Sequence, residues 1–286
     1  MKNDTSALKV LLYTAGGAAA LAGVCAYLVA PGKRDKQQRA PFTGRNYAHR
    51  GLHKIDKSIP ENSLPAFEAA ARIGYGVELD VHLTRDDEVV VFHDDDLKRI
   101  CGAEGRVEDM TLAELRQYRL CGTQYGIPTL KEVLAAIDGR CPMIVELKKS
   151  SRRRELCRRT YELLREYKGR WCIESFDPRI VLWFRVHAPE VLRGQLSTRM
   201  SELRRSTSPV QAFILSRLLL NFLARPQFIA YEIGRKPLMV RLCELMGAMK
   251  VAWTSREWKT EEKNDAVIFL LFALLMQCTA NLVNDL

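Results

Sequence analysis

Short apolar strings alternate with segments of helical periodicity from residue 45 almost to the end of the chain. Nine strings have the length and the β-branched or aromatic content of buried strands. They are residues 46–49, 76–83, 89–93, 143–147, 171–175, 193–196, 228–232, 250–254 and 266–271. Strands that alternate with helices over this length predict an α/β protein, a TIM-type (β/α)8 barrel.

One of the nine strings is in excess of the eight that such a barrel needs. Residues 84–88 form too short a link for the crossover that joins two parallel neighbours, so the string at 89–93 is predicted to fold back as a hairpin. Residues 97–134 then form a small helical insertion between the second and third barrel strands. Helix starts are predicted from Asn62 before residues 63–73, from two capping boxes and from a proline after an aspartate: Thr111 with Glu114, Thr129 with Glu132, and Asp177 with Pro178.

An uncharged apolar run of 21 residues, 10–30, precedes the barrel pattern. About 20 residues are needed to cross the hydrocarbon layer as a helix, and a cleaved signal peptide has a shorter apolar region. The predicted organisation is therefore an N-terminal flank (1–9), a transmembrane helix (10–30), a polar linker (31–44) and a barrel domain (45–286). Two further apolar segments, 213–223 and 266–276, are interpreted as core, with an interfacial helix as the alternative for the first.

The charges that flank the run bear on topology. Lys2, Lys9 and the terminal amine lie on one side, and four basic residues lie on the other: Lys33, Arg34, Lys36 and Arg39. These counts favour a single-pass protein of the cell membrane with a cytoplasmic catalytic domain. The oligomeric state stays open.

The net charge of +10 and the pI of about 9.3 raise the question of an anionic partner. No nucleic-acid-reading motif accompanies the basic residues, so an anionic membrane or an anionic substrate is favoured over nucleic acid. The eight cysteines lack the spacing of a zinc site and are interpreted as reduced, buried residues.

Acidic residues stand in two of the predicted strands. Glu78 and Asp80 are two apart in the second strand, so they project to the same side, and Glu146 and Lys148 do likewise at the third. Three carboxylates that share the barrel mouth are unfavourable without a cation, and their oxygen atoms suit Mg²⁺ or Ca²⁺. The alternative is a set of surface carboxylates that never meet.

Two histidines bracket the acidic pair. His49 ends the first strand and His93 ends the hairpin string. An imidazole titrates near neutrality, so one can activate an attacking hydroxyl or water and the other can protonate a leaving alkoxide. A structural role is the alternative for both, and it is the role assigned to His53, His82 and His187.

The remaining candidates would bind the substrate or complete the site. Arg50 can grip a phosphate, and Lys148 can neutralise charge on phosphoryl oxygens, although both could be salt-bridge partners of the nearby acids. Glu61 could complete a metal shell. Asn62 could bind the substrate or cap the first helix.

Six short sequence motifs, which include most of these candidate residues, carry a resemblance to a known family. They are 49–51 (HRG), 60–63 (PENS), 78–81 (ELDV), 91–94 (VFHD), 127–130 (IPTL) and 146–148 (ELK), and in order and separation they resemble the glycerophosphodiester phosphodiesterase family. The likeness is specific between residues 46 and 148 and weaker beyond. The chain departs from the family pattern at Asp86-Asp87, where an aspartate and a glycine are usual, and at 267–276, which lack the usual acidic, threonine-containing ending.

The resemblance implies a TIM-type barrel with one divalent metal ion, often Mg²⁺ or Ca²⁺, held by Glu78, Asp80 and Glu146. It also implies acid and base roles for His49 and His93, and phosphate contacts from Arg50 and Lys148. The expected reaction is hydrolysis of glycerophosphodiesters to glycerol 3-phosphate and an alcohol through a cyclic phosphate. A lysophospholipase D that acts on membrane lysolipids is the alternative within the scaffold. A catalytically silent membrane protein that binds phosphodiesters is the third hypothesis.

Overall fold

Eight parallel strands close into a barrel, because the first strand pairs with both the second and the last. The computed structural model describes residues 3–33, 35–255 and 263–270. Its strands are β1 (Arg45–His49), β2 (Gly76–Leu83), β3 (Val89–Val91), β4 (Met143–Leu147), β5 (Trp171–Ser175), β6 (Arg193–Ser197), β7 (Phe228–Glu232), β8 (Met249–Ser255) and β9 (Ala266–Phe269). All except β3 belong to the closed barrel, which confirms the predicted fold class.

The extra strand, β3, folds back on β2 as the short link predicted. β3 pairs antiparallel with β2, with Val81 opposite Val91, and adds no strand to the barrel. The segment that follows contains two four-residue α-helices, two 3-10 turns and a longer helix, Leu130–Ile137, before the chain returns to β4. This is the predicted helical insertion between the second and third barrel strands.

Helices surround the barrel and link its strands. They are α1 (Asn3–Val29), α2 (Lys36–Arg39), α3 (Leu64–Ile73), α4 (Lys98–Cys101), α5 (Leu112–Leu115), α6 (Leu130–Ile137), α7 (Arg153–Arg165), α8 (Pro178–His187), α9 (Met200–Leu203), α10 (Pro209–Ser216), α11 (Asn221–Ala224) and α12 (Leu238–Leu245). The two predicted capping boxes begin α5 and α6, and Asp177 caps α8. One prediction was wrong, because Ser63 rather than Asn62 is the N-cap residue of α3.

The core has two layers, as the alternation of side chains along each strand requires. Residues that point outward, such as Leu79 and Val145, pack beneath α3, α6, α7 and α8. Residues that point inward, such as Tyr47 and Phe228, fill the barrel near the strands' N-terminal ends. Phe42 lies 5% exposed in this second cluster, so it closes that end of the barrel and leaves the opposite end for polar groups.

Helix α1 has the length and composition of a membrane span over Lys9–Val29, which a signal sequence would also have, and none of its most apolar window is buried by the rest of the chain. Its last residue, Val29, is fully buried against α12 and β7. Of the flanking charges used for topology, Lys2 and Arg34 lie outside the described residues.

The predicted linker is attached to the barrel. Arg39 donates to the carbonyl of Gly247, and the Gln38 side chain donates to the carbonyl of Glu190. With Phe42 buried below β1, residues 35–44 pack against the barrel instead of forming a loose tether.

The apolar segment 213–223 forms parts of two helices. Leu218 has a φ of +59°, which ends the turn after α10, and α11 begins at Asn221. Leu218 and Ala224 are buried, whereas Phe213 and Leu223 are 44% and 40% exposed. The segment is therefore core on one side and solvent-facing on the other. In the second segment residues 266–269 are buried in β9, and residues 271–276 lie outside the described part of the chain.

The seven described cysteines are unpaired, and four of them are buried: Cys141, Cys157, Cys172 and Cys243. The predicted burial holds for these four, whereas Cys25, Cys101 and Cys121 are only partly buried, so the prediction was wrong for them. Cys278 lies outside the described residues.

Candidate active site

Three carboxylates meet inside the barrel at the C-terminal ends of β2 and β4. Asp80 stands opposite Glu146 in the register of the two strands, and Glu78 precedes Asp80 on the same side of β2. One oxygen atom from each of the three residues lies within 4.8 Å of the others. All three side chains are buried, so the alternative of surface carboxylates that never meet is wrong.

Burial and mutual repulsion perturb this cluster. Burial, with Asp80, Glu174 and Glu146 nearby, raises the pKa of Glu78 well above its usual value. Burial also raises the pKa of Glu146, against the effect of Lys148. At Asp80 burial acts in the same direction, but Lys148, His93 and Arg50 lower the pKa of that carboxyl well below its usual range. Glu78 and Glu146 therefore resist ionisation with only Lys148 and Arg50 as neighbouring cations.

Lys148 is the nearest cation. Its Nζ lies 2.8 Å from Asp80 Oδ1 and 2.9 Å from Glu146 Oε1. Lys148 is therefore a salt-bridge partner of the nearby acids, which was the alternative role considered for it. Its ammonium group also lies at the barrel mouth beside the cluster. Glu78 has no contact of this kind with Lys148 among the described ion pairs. A set of oxygen donors with residual negative charge fits a hard divalent cation.

The turn after β1 brings Arg50 to the same cluster. Its backbone N–H donates to Glu78 Oε2 over 3.1 Å, and its guanidinium lies 3.4 Å from Asp80 and 2.7 Å from Glu61. Arg50 has a φ of +57°, a left-handed conformation that costs a non-glycine residue about 1 kcal/mol. Gly51 follows at φ +79°, where a Cβ would lie 2.8 Å from Ala66. The strained backbone of residues 50 and 51 thus places the Arg50 side chain beside the carboxylates.

Asn62 is part of the same shell. Its backbone N–H donates to the carbonyl of Arg50, its φ is +54°, and its Nδ2 donates to Asp80 Oδ2 over 2.8 Å. The side chain is 1% exposed, and its Oδ1 has no hydrogen-bond partner. Asn62 therefore orients a cluster carboxylate and keeps a free acceptor beside it.

His49 reaches the cluster from β1. Its Nε2 lies 3.9 Å from Glu78 Oε2, and its buried Nδ1 has no hydrogen-bond partner. Burial, together with the positive charge of Arg50, lowers the pKa of His49 well below 6.5, although Asp80 opposes this. Burial thus favours the unprotonated imidazole.

His93 follows β3 at the edge of the mouth and is more exposed than His49. Its Nδ1 lies 2.6 Å from Asp94 Oδ1, and the guanidinium of Arg99 pairs with the same carboxylate. Because a carboxylate only accepts, Nδ1 is the donor of this hydrogen bond, and Nε2 is the ring nitrogen left for a substrate. His82 contacts the carbonyl of His93 through its Nε2 and is buried, and His187 stacks on Trp183.

Glu61 does not join the carboxylate cluster. Its two oxygens accept from Arg50 and Arg99, at 2.7 to 2.9 Å, and these arginines hold its pKa at about 2 although burial opposes them. The prediction of Glu61 as a metal ligand has no support in this arrangement. Its contacts show a residue that links Arg50 to Arg99.

Three residues of the site were missing from the sequence prediction. Glu174 on β5 stands opposite Glu146 in register, is 1% exposed, and has one carboxylate oxygen with no hydrogen-bond partner. Its place at the end of a strand, like that of Glu146, was a usable signal. A role for Asp94 could have been predicted from its place directly after His93. Arg99 lies on α4 in the insertion, and no spacing rule indicates that this helix folds over the mouth.

Comparisons with known proteins place this chain among its relatives. The family model described as the glycerophosphoryl diester phosphodiesterase family matches residues 49–274. A lysophospholipase D from Rattus norvegicus is 34% identical over 151 residues, 48% of this chain and 46% of the relative. A glycerophosphodiester phosphodiesterase from Caldanaerobacter subterraneus is 41% identical over 101 residues, 32% of this chain and 40% of the relative. The matched part thus spans less than half of each of these two relatives.

Solved structures are similar over most of the chain. A phosphodiesterase from Oleispira antarctica, in complex with the product sn-glycerol-3-phosphate, has a TM-score of 0.64 at 24% identity and covers 79% of this chain and 93% of its own. A glycerophosphodiester phosphodiesterase from Thermotoga maritima has a TM-score of 0.60 at 25% identity, covering 82% and 97%. The first likeness shows the fold alone. With the family model matched across both histidines and all three clustered carboxylates, the chain belongs to the glycerophosphoryl diester phosphodiesterase family.

Proposed function

We propose that this chain hydrolyses glycerophosphodiesters to glycerol 3-phosphate and an alcohol in a metal-dependent reaction. The observation that carries the proposal is the cluster of Glu78, Asp80 and Glu146, whose oxygens lie within 4.8 Å of one another at the barrel mouth. Two histidines, an arginine and a lysine surround it, which is the set that phosphodiester cleavage needs.

The three carboxylates would hold one divalent ion, Mg²⁺ or Ca²⁺. When bound, such an ion polarises the phosphoryl group and stabilises negative charge that develops on its oxygens. Burial of the cluster supports this, because Glu78 and Glu146 are hard to ionise without more positive charge than Lys148 and Arg50 supply. Asn62 and Arg50 orient the cluster by hydrogen bonds to Asp80 and Glu78.

His49 is the proposed base and His93 the proposed acid. His49 accepts the proton from the attacking oxygen, either the substrate hydroxyl next to the diester or a water molecule, as that oxygen bonds to phosphorus. The bond from phosphorus to the alcohol oxygen breaks, and that oxygen takes the proton that His93 carries on Nε2. If the substrate hydroxyl attacks, the product of this step is a cyclic phosphate, and water then opens it to glycerol 3-phosphate. In that second step His93 takes a proton from the water and His49 returns its proton to the ring oxygen that leaves, so both histidines are restored. The lowered pKa of His49 favours the unprotonated form that a base needs. The Asp94 carboxylate orients the His93 ring through its Nδ1.

Lys148 and Arg50 would bind the phosphoryl oxygens. Both cations are held at the mouth by buried carboxylates, so they are placed before the substrate arrives. Glu61 is assigned to positioning Arg50 and Arg99, not to the metal. Asn62 Oδ1 is the proposed acceptor for a substrate hydroxyl.

A lysophospholipase D activity is the second candidate. It is favoured by the name of the rat relative and by α1, which would hold the barrel close to lipid. For this reason α1 is proposed as a single membrane span, with the barrel on the cytoplasmic side as the flanking charges favour.

The full chain in detergent tests both candidates. Release of glycerol 3-phosphate from glycerophosphocholine is expected, and chelation should abolish it until Mg²⁺ or Ca²⁺ is restored. Release of lysophosphatidic acid from lysophosphatidylcholine would add the second activity. Undiminished turnover of either substrate after chelation would contradict the metal-dependent reaction.

A further inference from the structure

The end of α1 is fixed to the barrel, with no free length between them. Val29 is buried in the cluster formed by α12, β7 and the residues before α11. The guanidinium of Arg225 donates to the carbonyls of Tyr27 and Ala30, and the N–H of Gly32 donates to the carbonyl of Pro226. The helix therefore ends at the barrel surface itself.

The length of α1 then sets the distance between the barrel and the bilayer. Its apolar stretch of 21 residues, Lys9–Val29, is about 31 Å long at 1.5 Å per residue, and the hydrocarbon layer is about 30 Å thick. Spanning that layer uses the whole stretch, including the residues next to Val29. The edge of the hydrocarbon must lie within about one helical turn of the contact between α1 and the barrel.

One part of the surface, which includes the two helices beside this contact, carries most of the exposed large apolar side chains. We define the α8–α12 sector as residues 178–246. Among the described residues outside α1, ten large apolar side chains are exposed, and eight of them lie in this sector. The most exposed include Val210 at 68%, Leu238 at 75% and Leu245 at 81%. Helices α11 and α12 of the sector pack directly beside α1.

The same sector is basic. It contains eleven of the lysines and arginines and four of the acidic residues, so it carries +7 of the net charge of +10. Arg217 lies 4.0 Å from the ring of the half-exposed Phe213, and Arg225 lies 4.9 Å from the ring of Tyr27. Tyrosine is enriched where protein meets lipid headgroups, and basic side chains are attracted to anionic lipid.

From these observations we infer that the α8–α12 sector rests on the surface of the membrane that α1 crosses, with its exposed apolar side chains in the headgroup region of an anionic bilayer. The inference depends on α1 being a membrane span, which belongs to the proposed function. It adds to that function a fixed presentation of the barrel to lipid, which a flexible tether would not provide.

Tryptophan quenching by lipid tests this contact. The variants V210W and L238W place a reporter in the sector, and I73W is the matched control, since Ile73 is 64% exposed on α3, outside the sector. Each full-length chain is reconstituted into vesicles of phosphatidylcholine and phosphatidylglycerol, with acyl chains either brominated near the headgroup or not. The signal of the native tryptophans is subtracted with the unsubstituted chain.

We expect bromination to quench the added tryptophan of V210W and L238W about threefold or more over that of I73W. Equal quenching of all three would overturn the inference, as would release of the chain from vesicles by alkaline carbonate. If the emission of V210W is insensitive to bromination but shifts with the protein-to-lipid ratio, a second copy of the chain covers this surface. That result would also overturn the inference.

Hydrolysis of soluble glycerophosphocholine is measured on the same samples. All three variants should match the unsubstituted chain within about twofold, because exposed surface substitutions rarely perturb a distant site. If no chain hydrolyses this substrate, the proposed function fails while the quenching comparison still decides the membrane contact.

Discussion

The imidazole Nδ1 of His93 lies 2.6 Å from the carboxylate of Asp94, and Arg99 holds that carboxylate from its other side. A histidine, its neighbour in sequence and an arginine from the helical insertion thus form one chain of contacts. Because the ring is oriented through Nδ1, its Nε2 is left for chemistry. Burial raises the pKa of Asp94, but the hydrogen bonds from His93 and Arg99 outweigh it and hold that pKa below its usual value.

Asp94→Asn should therefore slow turnover without unfolding the protein. An amide can present a donor to Nδ1 and favour the wrong tautomer, so we expect kcat to fall about ten- to a hundredfold. Steady-state kinetics on glycerophosphocholine with circular dichroism as the folding control measures this. An unchanged kcat would show that the hydrogen bond between Asp94 and His93 has no part in the reaction.

Glu61→Gln distinguishes two roles for Glu61, positioning of Arg50 and Arg99 or binding of the metal ion. Since both oxygens of Glu61 accept from Arg50 and Arg99, we expect this variant to raise KM by roughly three- to tenfold, through loss of charge-assisted hydrogen bonds. Metal affinity should stay within about twofold of the unsubstituted chain, as expected for a residue outside the ligand set. Glu146→Gln is the control that should weaken metal binding. A large loss of metal affinity in Glu61→Gln would restore it as a ligand.

Glu78→Gln should stabilise the metal-free protein. Burial and three neighbouring carboxylates raise the pKa of Glu78, so an uncharged side chain of the same shape removes repulsion, and its amide oxygen can still accept from the Arg50 N–H. We expect about 1 kcal/mol more unfolding free energy in chelator and no further gain with Mg²⁺ or Ca²⁺. Denaturant titrations with and without metal measure both effects. A variant that unfolds more easily in chelator would contradict the account of the cluster.

The pH profile should reflect His49. Its pKa in the folded chain is lowered by burial, so an unfolded chain takes up a proton near pH 6.5 that the folded chain does not. Folding stability should therefore fall as pH drops below about 6.5, and the acid limb of kcat/KM should lie below that value. Titration of kcat/KM between pH 4.5 and pH 8 is the measurement, with His187→Gln as the control, because the exposed His187 stacks on Trp183 away from the proton transfer. An acid limb above pH 6.5 would remove His49 as the base.

Strand ends were the most predictable part of this protein. Glu78, Asp80, Glu146 and Lys148 were placed correctly because the side-chain period of a strand is two and parallel strands bring their C-terminal ends to one face. The hairpin at β3 followed from the length of a link. These inferences need only local geometry and one topological rule.

Contacts made by the helical insertion and by the linker could not be predicted in the same way. Arg99 reaches Glu61 across 38 residues, and Arg39 reaches Gly247 across 208, so neither contact leaves a periodic signal in the sequence. Glu61 was predicted as a metal ligand because it is an acidic residue close to the cluster in sequence, and its two arginine partners could not be foreseen. The break at Leu218 rests on a left-handed backbone conformation that leucine rarely adopts.

The central claim is that Glu78, Asp80 and Glu146 bind one divalent cation at the mouth of the barrel. Crystals of the full chain grown with Mn²⁺, measured above the manganese absorption edge, test it most directly. The account predicts a single anomalous peak among these three carboxylates, about 2.0 to 2.6 Å from an oxygen of each, as hard divalent ions require. A peak beside Glu61, or a map with none between the three carboxylates, would contradict it.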